Sequence, residues 1–282
     1  MILIDTNQVF ISGLLSQISS NKFKQLEEDL IRHIVLNTLR SHIKKFKSEY
    51  GDVVLCLDSR HYWRKQIYPH YKAHRKESRE KSSLDWNLIF KVLNELKEDL
   101  KNHFPYRVIE VDSTEADDII GTLTPRISPH EKVLIISSDK DFVQLQKYPN
   151  VKQYNPMMGV FVTSKNPVKD LKEKIIRGDA GDGIPNFLSE DEVFVLKTRQ
   201  KPISSKKLND WLEQDPKEFC NEEMLRNYKR NQMLIDFDYI PEDIRQQIIN
   251  EFDRIKPATK QNLYKYFVSK KLISLLECIE EF

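Results

Sequence analysis

Glycine is scarce in this chain, seven in 282 residues, and cysteine scarcer still at three. Cys56, Cys220 and Cys278 are far apart and odd in number, which excludes a disulfide framework and offers no zinc-ligand spacing. They read as reduced, intracellular thiols. No apolar run approaches the roughly 18 residues of a membrane span, and the opening "MILIDTNQVF" carries neither a basic leader nor a long apolar core. A cytoplasmic protein with no membrane association is therefore expected. Strong net charge is missing too. Lys and Arg number 45 against 43 Asp and Glu, +2 overall, so affinity for a polyanion must come from local clustering. The familiar Ser and Cys nucleophile-elbow motifs are absent. Charge itself is plentiful: 31% of residues are charged and 39% hydrophobic, which describes a globular protein with a heavily charged surface and ample core.

Short apolar runs recur between longer segments of helical period. "MILID", "DVVLCLD", "YRVIEVD" and "KVLIISSD" alternate with stretches such as 22 to 48 and 84 to 102. That alternation predicts an α/β fold, a mostly parallel central sheet with helices on both faces. Residues 151 to 163 read as strand, turn and strand, adding a hairpin. After about residue 166 the pattern is all-helical, with helices expected at 167–177, 188–197, 204–214, 218–235, 241–254 and 260–281. The expected organisation is an α/β domain over 1–165 and a helical region over 166–282.

Carboxylates gather where the strands end. Asp5 closes "MILID", Asp58 closes "DVVLCLD", and Asp139 and Asp141 follow "KVLIISS". In an open parallel sheet the ligand crevice lies at the carboxyl ends of the strands, so these acids should share one edge. "STEADDIIG" adds Glu115, Asp117 and Asp118 at the start of a helix, where the backbone dipole alone would favour any one of them. "RGDAGDGIP" adds Asp179 and Asp182 among Gly178, Gly181 and Gly183, which alone would pass for a helix-ending loop. Together the nine acids form a set that repels itself without cations. Hard oxygen donors without Cys or His select magnesium or manganese.

A second unusual stretch is "RHYWRKQIYPHYKAHRKESREK", residues 60 to 81, with eight Lys or Arg against two Glu and with Tyr62, Trp63, Tyr68 and Tyr71 interleaved. Cations beside rings suit a nucleic-acid strand, the cations gripping phosphate and the rings stacking on bases. Following Asp58 directly, the segment should rise over the acidic edge as a basic arch at about 60–82. Arg60, Arg64, Lys65, Tyr71, Lys72 and Arg75 are its expected contacts, with Arg64 and Lys72 nearest the reacting phosphate. Lys201, Lys206 and Lys207 in "KTRQKPISSKK" could run along a duplex backbone.

The order "LIDTNQ", "LCLDSRHYWRKQIYPHYKAHR", "STEADDIIG", "ISSDKDFVQL" and "RGDAGDGIP" resembles the flap-endonuclease and 5′-nuclease superfamily, and within it the ribonuclease H branch of T-even phages, over nearly the whole chain. The resemblance implies a 5′ to 3′ exonuclease and flap endonuclease with two Mg2+ ions, Mn2+ substituting. It implies substrates of DNA and RNA:DNA hybrid with a free 5′ end, and a role in removing RNA primers during phage replication in the host cytoplasm. Asp5, Asp58, Glu115, Asp117, Asp118 and Asp139 match the first-metal group; Asp141, Asp179 and Asp182 match the second. Arg64 and Lys72 match the basic pair of the arch, acting with Asp139 in catalysis, and Tyr71 matches the neighbouring ring. One stretch departs from the family: Gly183 stands where asparagine is usual, and "NFLSEDEV" replaces a second glycine pair, which leaves a potassium (K+) site open. A monomer is expected, with replication proteins such as single-strand-binding protein or a sliding clamp as candidate partners. Two other readings remain: a PIN-type RNA endonuclease, which shares the acidic strand ends, and a catalytically inactive DNA-binding replisome protein. An aspartyl-phosphate phosphatase would need a second Asp where Asn7 stands.

Overall fold

The alternation in "MILID" sets Ile2 and Ile4 on one face of the first strand and Leu3 on the other, as the two-residue period of a strand requires. The structure, a computed structural model, describes residues 1–21, 26–75 and 80–282. Strands β1 (Ile2–Asp5), β2 (Val53–Cys56), β3 (Arg107–Ile109), β4 (Val133–Ile136), β5 (Val151–Asn155) and β6 (Val160–Val162) form one sheet in the order β3-β2-β1-β4-β5-β6. β1 to β5 pair in parallel, and β6 returns antiparallel as the hairpin expected at 151–163. Because β1 lies at the middle, with β2 and β4 as its neighbours, the chain reverses its direction of winding there. This is the switch point where a parallel sheet opens a crevice at its carboxyl edge.

Both faces are covered. On one, Ile2, Ile4, Val53 and Leu55 pack against α1 (Thr6–Asn21), α2 (Glu28–Tyr50) and α4 (Trp86–His103). α2 shows why: Ile31, Ile34, Val35, Leu39, Ile43 and Phe46 recur at helical spacing and are all buried. Gly51, at φ 78°, ends that helix, its N–H donating to Lys47 O. On the other face Leu3, Val54, Val133 and Ile135 meet α5 (Ala116–Ile127). Past β6 come α6 (Pro167–Arg177), α7 (Ser205–Glu213), α8 (Pro216–Phe219), α9 (Glu222–Ile235), α10 (Glu242–Arg254), α11 (Lys260–Ser269) and α12 (Ile273–Leu276). These later helices enter both cores. Leu263, Phe267, Leu272 and Phe282 join the first, while Phe237, Ile240, Ile244 and Ile248 join the second.

Several elements differ from expectation. α1 has no counterpart in the sequence pattern: it starts at the residue after β1, with no turn between them. Gly13 lets α1 and α2 approach, since a Cβ there would lie 2.8 Å from Thr38. The helix expected at 22–48 is α2, and its first part, 22–25, lies outside the described residues. The helix expected at 188–197 is a run of turns. Asn186 pins that run, its Oδ1 accepting from Leu188 N at 3.1 Å and Ser189 Oγ at 2.9 Å. Asp191 is drawn off to Arg226 at 2.7 Å and to Arg230. The segments 218–235 and 260–281 are each broken into shorter pieces.

The arch expected at 60–82 is described as far as residue 75, with 76–79 outside. Up to residue 75 it is no free-standing loop. After α3 (Arg64–Ile67) it folds into turns whose Tyr68 and Tyr71 are buried with Ile175, Ile176, Ile184, Phe187 and Leu234, tying the arch base to the later helices.

Candidate active site

The parallel sheet delivers Asp5 at the end of β1, Asp58 two residues past β2, and Asp139 three residues past β4. Asp117 arrives in the first turn of α5, whose N-terminus is fixed by a capping box between Glu115 and Asp118. Asp5, Asp58, Asp117 and Asp139 line one cavity of about 510 Å³ together with Asn7, Gln8, Lys72 and Arg75. A second cavity of about 600 Å³ also touches Asp58, and runs past Arg60, Tyr62, Phe90 and Lys97.

Three of the four carboxylates are aimed by a neighbour. Ser137 Oγ donates to Asp5 Oδ2 at 2.8 Å. Asn7 Nδ2 and the backbone N–H of Ala116 donate to the two oxygens of Asp58, at 2.8 and 2.9 Å. Asp139 caps the following turn by accepting from Asp141 N at 2.9 Å. Burial raises the Asp5 carboxyl to about 7, with the charges of Asp58 and Asp139 adding to it. Burial, then Asp139 and Asp5, push Asp117 well above the usual range. Burial also raises Asp139, partly offset by Lys174. Among the described residues Asp117 receives no hydrogen bond. Acids crowded this way hold a surplus of negative charge that a hard divalent cation would relieve, and their all-oxygen donor set fits Mg2+ or Mn2+. No three acidic, His or Cys side chains among the described residues already stand as a coordination shell.

The remaining predicted residues divide. Glu115 is buried and saturated: Oε2 accepts from Arg64 at 3.1 Å and Tyr71 at 2.9 Å, and Oε1 from Lys72. Asp118, expected among the metal group, points inward at 0% exposure and pairs with Arg64 at 2.8 Å. Arg64, expected at the reacting phosphate, is 2% exposed and also donates to Leu234 O at 2.8 Å. Its guanidinium is spent on the interior, because two buried acids need a fixed cation. Tyr71, expected to stack on a base, is 2% exposed and donates instead to Glu115 and to Asp182 at 3.0 Å. Trp63 and Tyr68 are buried as well, so the rings of this segment serve mainly as core.

Lys72 reaches the cavity, as does Arg75. Lys72 holds φ 57°, donates its backbone N–H to Asp182 O at 2.8 Å and pairs through Nζ with Glu115 and, at 3.5 Å, Asp182. Burial works against its charge, but Glu115 and Asp182 keep it protonated. Against the effect of burial, Lys72 and Arg75 hold Asp182 below the usual carboxylate range. Arg60, Lys65, Arg75, Lys201, Lys206 and Lys207 are exposed. The last two open α7, and Lys201 borders a cleft of about 440 Å³ with Arg177 and Arg199.

Asp141 and Asp179 are joined by a residue that the sequence pattern does not single out. Lys174 Nζ lies 2.8 Å from Asp179 Oδ2 and in contact with Asp141 Oδ1. The sequence pattern does not single out Asn7, Gln8, Ser137 or Lys97 either. The serine pair in "ISSD" was a visible signal; Lys174 and Lys97 gave none, since their partners lie elsewhere in the chain.

Two family profiles match. One, described as the 5′-3′ exonuclease N-terminal resolvase-like domain, covers residues 1–175; the other, described as T4 RNase H, C terminal, covers 166–282. The chain is 34% identical to the ribonuclease H of Enterobacteria phage T4, across 99% of this chain and 95% of that one. It is also 34% identical to the flap endonuclease Xni of Shewanella piezotolerans, over 48% of this chain and 54% of that one. Its fold is similar to T5 5′-exonuclease with bound divalent metal ions (zinc), at TM-score 0.58 and 16% identity, and to a T5 flap endonuclease complexed with DNA and metal ions, at TM-score 0.61 and 16% identity. Each match covers 90% of this chain and 98% of the other. With an acidic strand-end site and both profiles spanning it from end to end, the chain belongs to the 5′-3′ exonuclease family, in the branch that carries the T4 ribonuclease H type of C-terminal region.

Proposed function

We infer that this protein is a metal-dependent, structure-specific 5′ nuclease that hydrolyses phosphodiesters by 5′ to 3′ exonuclease and flap endonuclease action. The observation that carries this reading is the convergence of Asp5, Asp58, Asp117 and Asp139 on one cavity beside Lys72 and Arg75. Two Mg2+ ions are the proposed cofactors, Asp5, Asp58, Asp117 and Asp139 holding one and Asp141 and Asp179 contributing to the other. Bound there, they would supply a metal-activated water and neutralise charge on the attacked phosphate.

The chain's own groups do the rest. Ser137 and Asn7 keep the Asp5 and Asp58 carboxylates turned into the cavity. Lys72 is placed to offset charge building on the phosphate oxygens, a contribution of the kind made by preorganised donors. Arg60 and Lys65, on the surface beside the second cavity, would guide the free 5′ strand, while Lys201, Lys206 and Lys207 would follow the duplex. We propose DNA and RNA:DNA hybrids as substrates, removal of RNA primers as the task, and replication proteins as the partners. No helix among the described residues is long and apolar enough to cross a membrane.

Asp139→Asn tests the reading on a 5′-labelled DNA flap and on an RNA:DNA hybrid. Cleavage should be lost at millimolar Mg2+ while substrate binding changes little, because affinity rests on phosphate contacts elsewhere. Near-normal cleavage by that variant would overturn the assignment.

A further inference from the structure

Lys174 stands in α6, ahead of the glycine loop, and its ammonium bridges two acids from separate parts of the chain. Asp141 follows β4, and Asp179 lies just past Gly178 at the end of α6. Lys174 Nζ is 2.8 Å from Asp179 Oδ2 and touches Asp141 Oδ1, and its side chain is 21% exposed. Asp179 is otherwise turned toward its own loop, where Oδ1 accepts from Gly181 N at 2.7 Å and Asp182 N at 3.3 Å. The contrast with the neighbouring acids is sharp. Asp5, Asp58 and Asp117 line their cavity with no Lys or Arg in ion-pair contact with them among the described residues, so cation entry there breaks no ion pair. At Asp141 and Asp179 a cation is already in place.

We propose that Lys174 is a tethered occupant of the Asp141–Asp179 pair, and that a divalent cation enters this pair only by displacing the ammonium toward solvent. The inference rests on the nuclease reading and adds to it an order of loading. A lysine head is a compact charge on a flexible four-carbon stem, so it can hold two acids together and still leave without moving the backbone. It brings one positive charge to two negative ones, so a divalent ion in excess prevails, but only after two ion pairs are broken. The Asp5, Asp58, Asp117 and Asp139 cluster therefore fills first, and the Asp141–Asp179 pair fills at higher concentration. Couplings of this kind typically change affinity about 5- to 150-fold.

The test uses the unaltered full-length protein. Amine labelling with peptide mapping by mass spectrometry follows Lys174 across an Mg2+ titration from EDTA, with exposed Lys206 as internal reference. Labelling of Lys174 should rise several-fold as Mg2+ increases while that of Lys206 stays level. In parallel, Lys174→Met should bind Mn2+ at its weaker site roughly tenfold more tightly by calorimetry, and should melt at a lower temperature in EDTA. Metal binding with unchanged Lys174 labelling overturns this inference and leaves the nuclease reading standing. Absence of any divalent-ion binding by the unaltered protein overturns both.

Discussion

Asp5→Asn should make the metal-free protein more stable while destroying its activity. Asp5 releases its proton near 3.8 when unfolded but near 7 in the fold. The sign follows directly. Between those values the unfolded chain binds fewer protons than the folded one, so stability falls as pH rises through the window and the loss is complete at pH 8. A displacement of that size corresponds to at most about 4 kcal/mol, and sharing it with Asp58 and Asp139 reduces the expected gain to about 2 kcal/mol or more. Asparagine keeps the shape and can still accept from Ser137. At about 2 °C or more per kcal/mol, the variant should melt roughly 4 °C or more above the parent in EDTA at pH 8, with little difference at pH 4. Adding Mg2+ should reverse the ranking, because the parent gains stability by binding the ion and the variant loses most of that gain. The assay is thermal or urea unfolding at both pH values, with and without Mg2+. A variant less stable than the parent in EDTA at pH 8, or one with the parent's pH slope, would refute the reasoning.

Three further outcomes are expected. Lys72→Ala should lower kcat by roughly a hundredfold on flap substrates, and a change confined to KM would reduce Lys72 to a phosphate anchor. Gly178→Ala should cost about 3 kcal/mol or more in urea unfolding, because Gly178 holds φ 68° and a Cβ there would sit 2.4 Å from the carbonyl oxygens of Ile184 and Pro185; a loss within 1 kcal/mol or so would contradict that geometry. Neutralising Lys201, Lys206 and Lys207 together should weaken duplex binding and flatten its log–log salt dependence by about 0.9 for each phosphate left without its cation, and an unchanged slope would place the duplex elsewhere.

Legibility in the sequence followed the range of the interactions. The strands were readable because runs such as Val133 to Ile136 are apolar on both faces, and their order along the chain is enough to place Asp5, Asp58 and Asp139 on one edge. α1 was hidden because it begins the moment β1 ends and because Ser12, Gly13, Ser16, Ser19 and Ser20 dilute its apolar pattern. The segment 60–75 misled in a more instructive way. Its cations and rings have the composition of a nucleic-acid surface, yet Arg64 and Tyr71 face Glu115 across 51 and 44 residues of chain. Pairings that distant leave no periodic trace in either partner. The same holds for Lys174, whose meaning depends on where Asp141 arrives from β4.

The later helices close over both sides of the sheet, and this decides how force reaches the acids. α10 sets Ile244 and Ile248 against the face of α5 opposite β4 and its neighbours, while Phe282 lies within 6.0 Å of Phe104, ring centre to ring centre, on the far side of the sheet. A chain stopped at residue 165 would leave apolar surface bare on both sides of the sheet. α7 packs on α6, and α6 on the turn after β4 that carries Asp141, so a load on these later helices reaches the acidic edge through packed side chains.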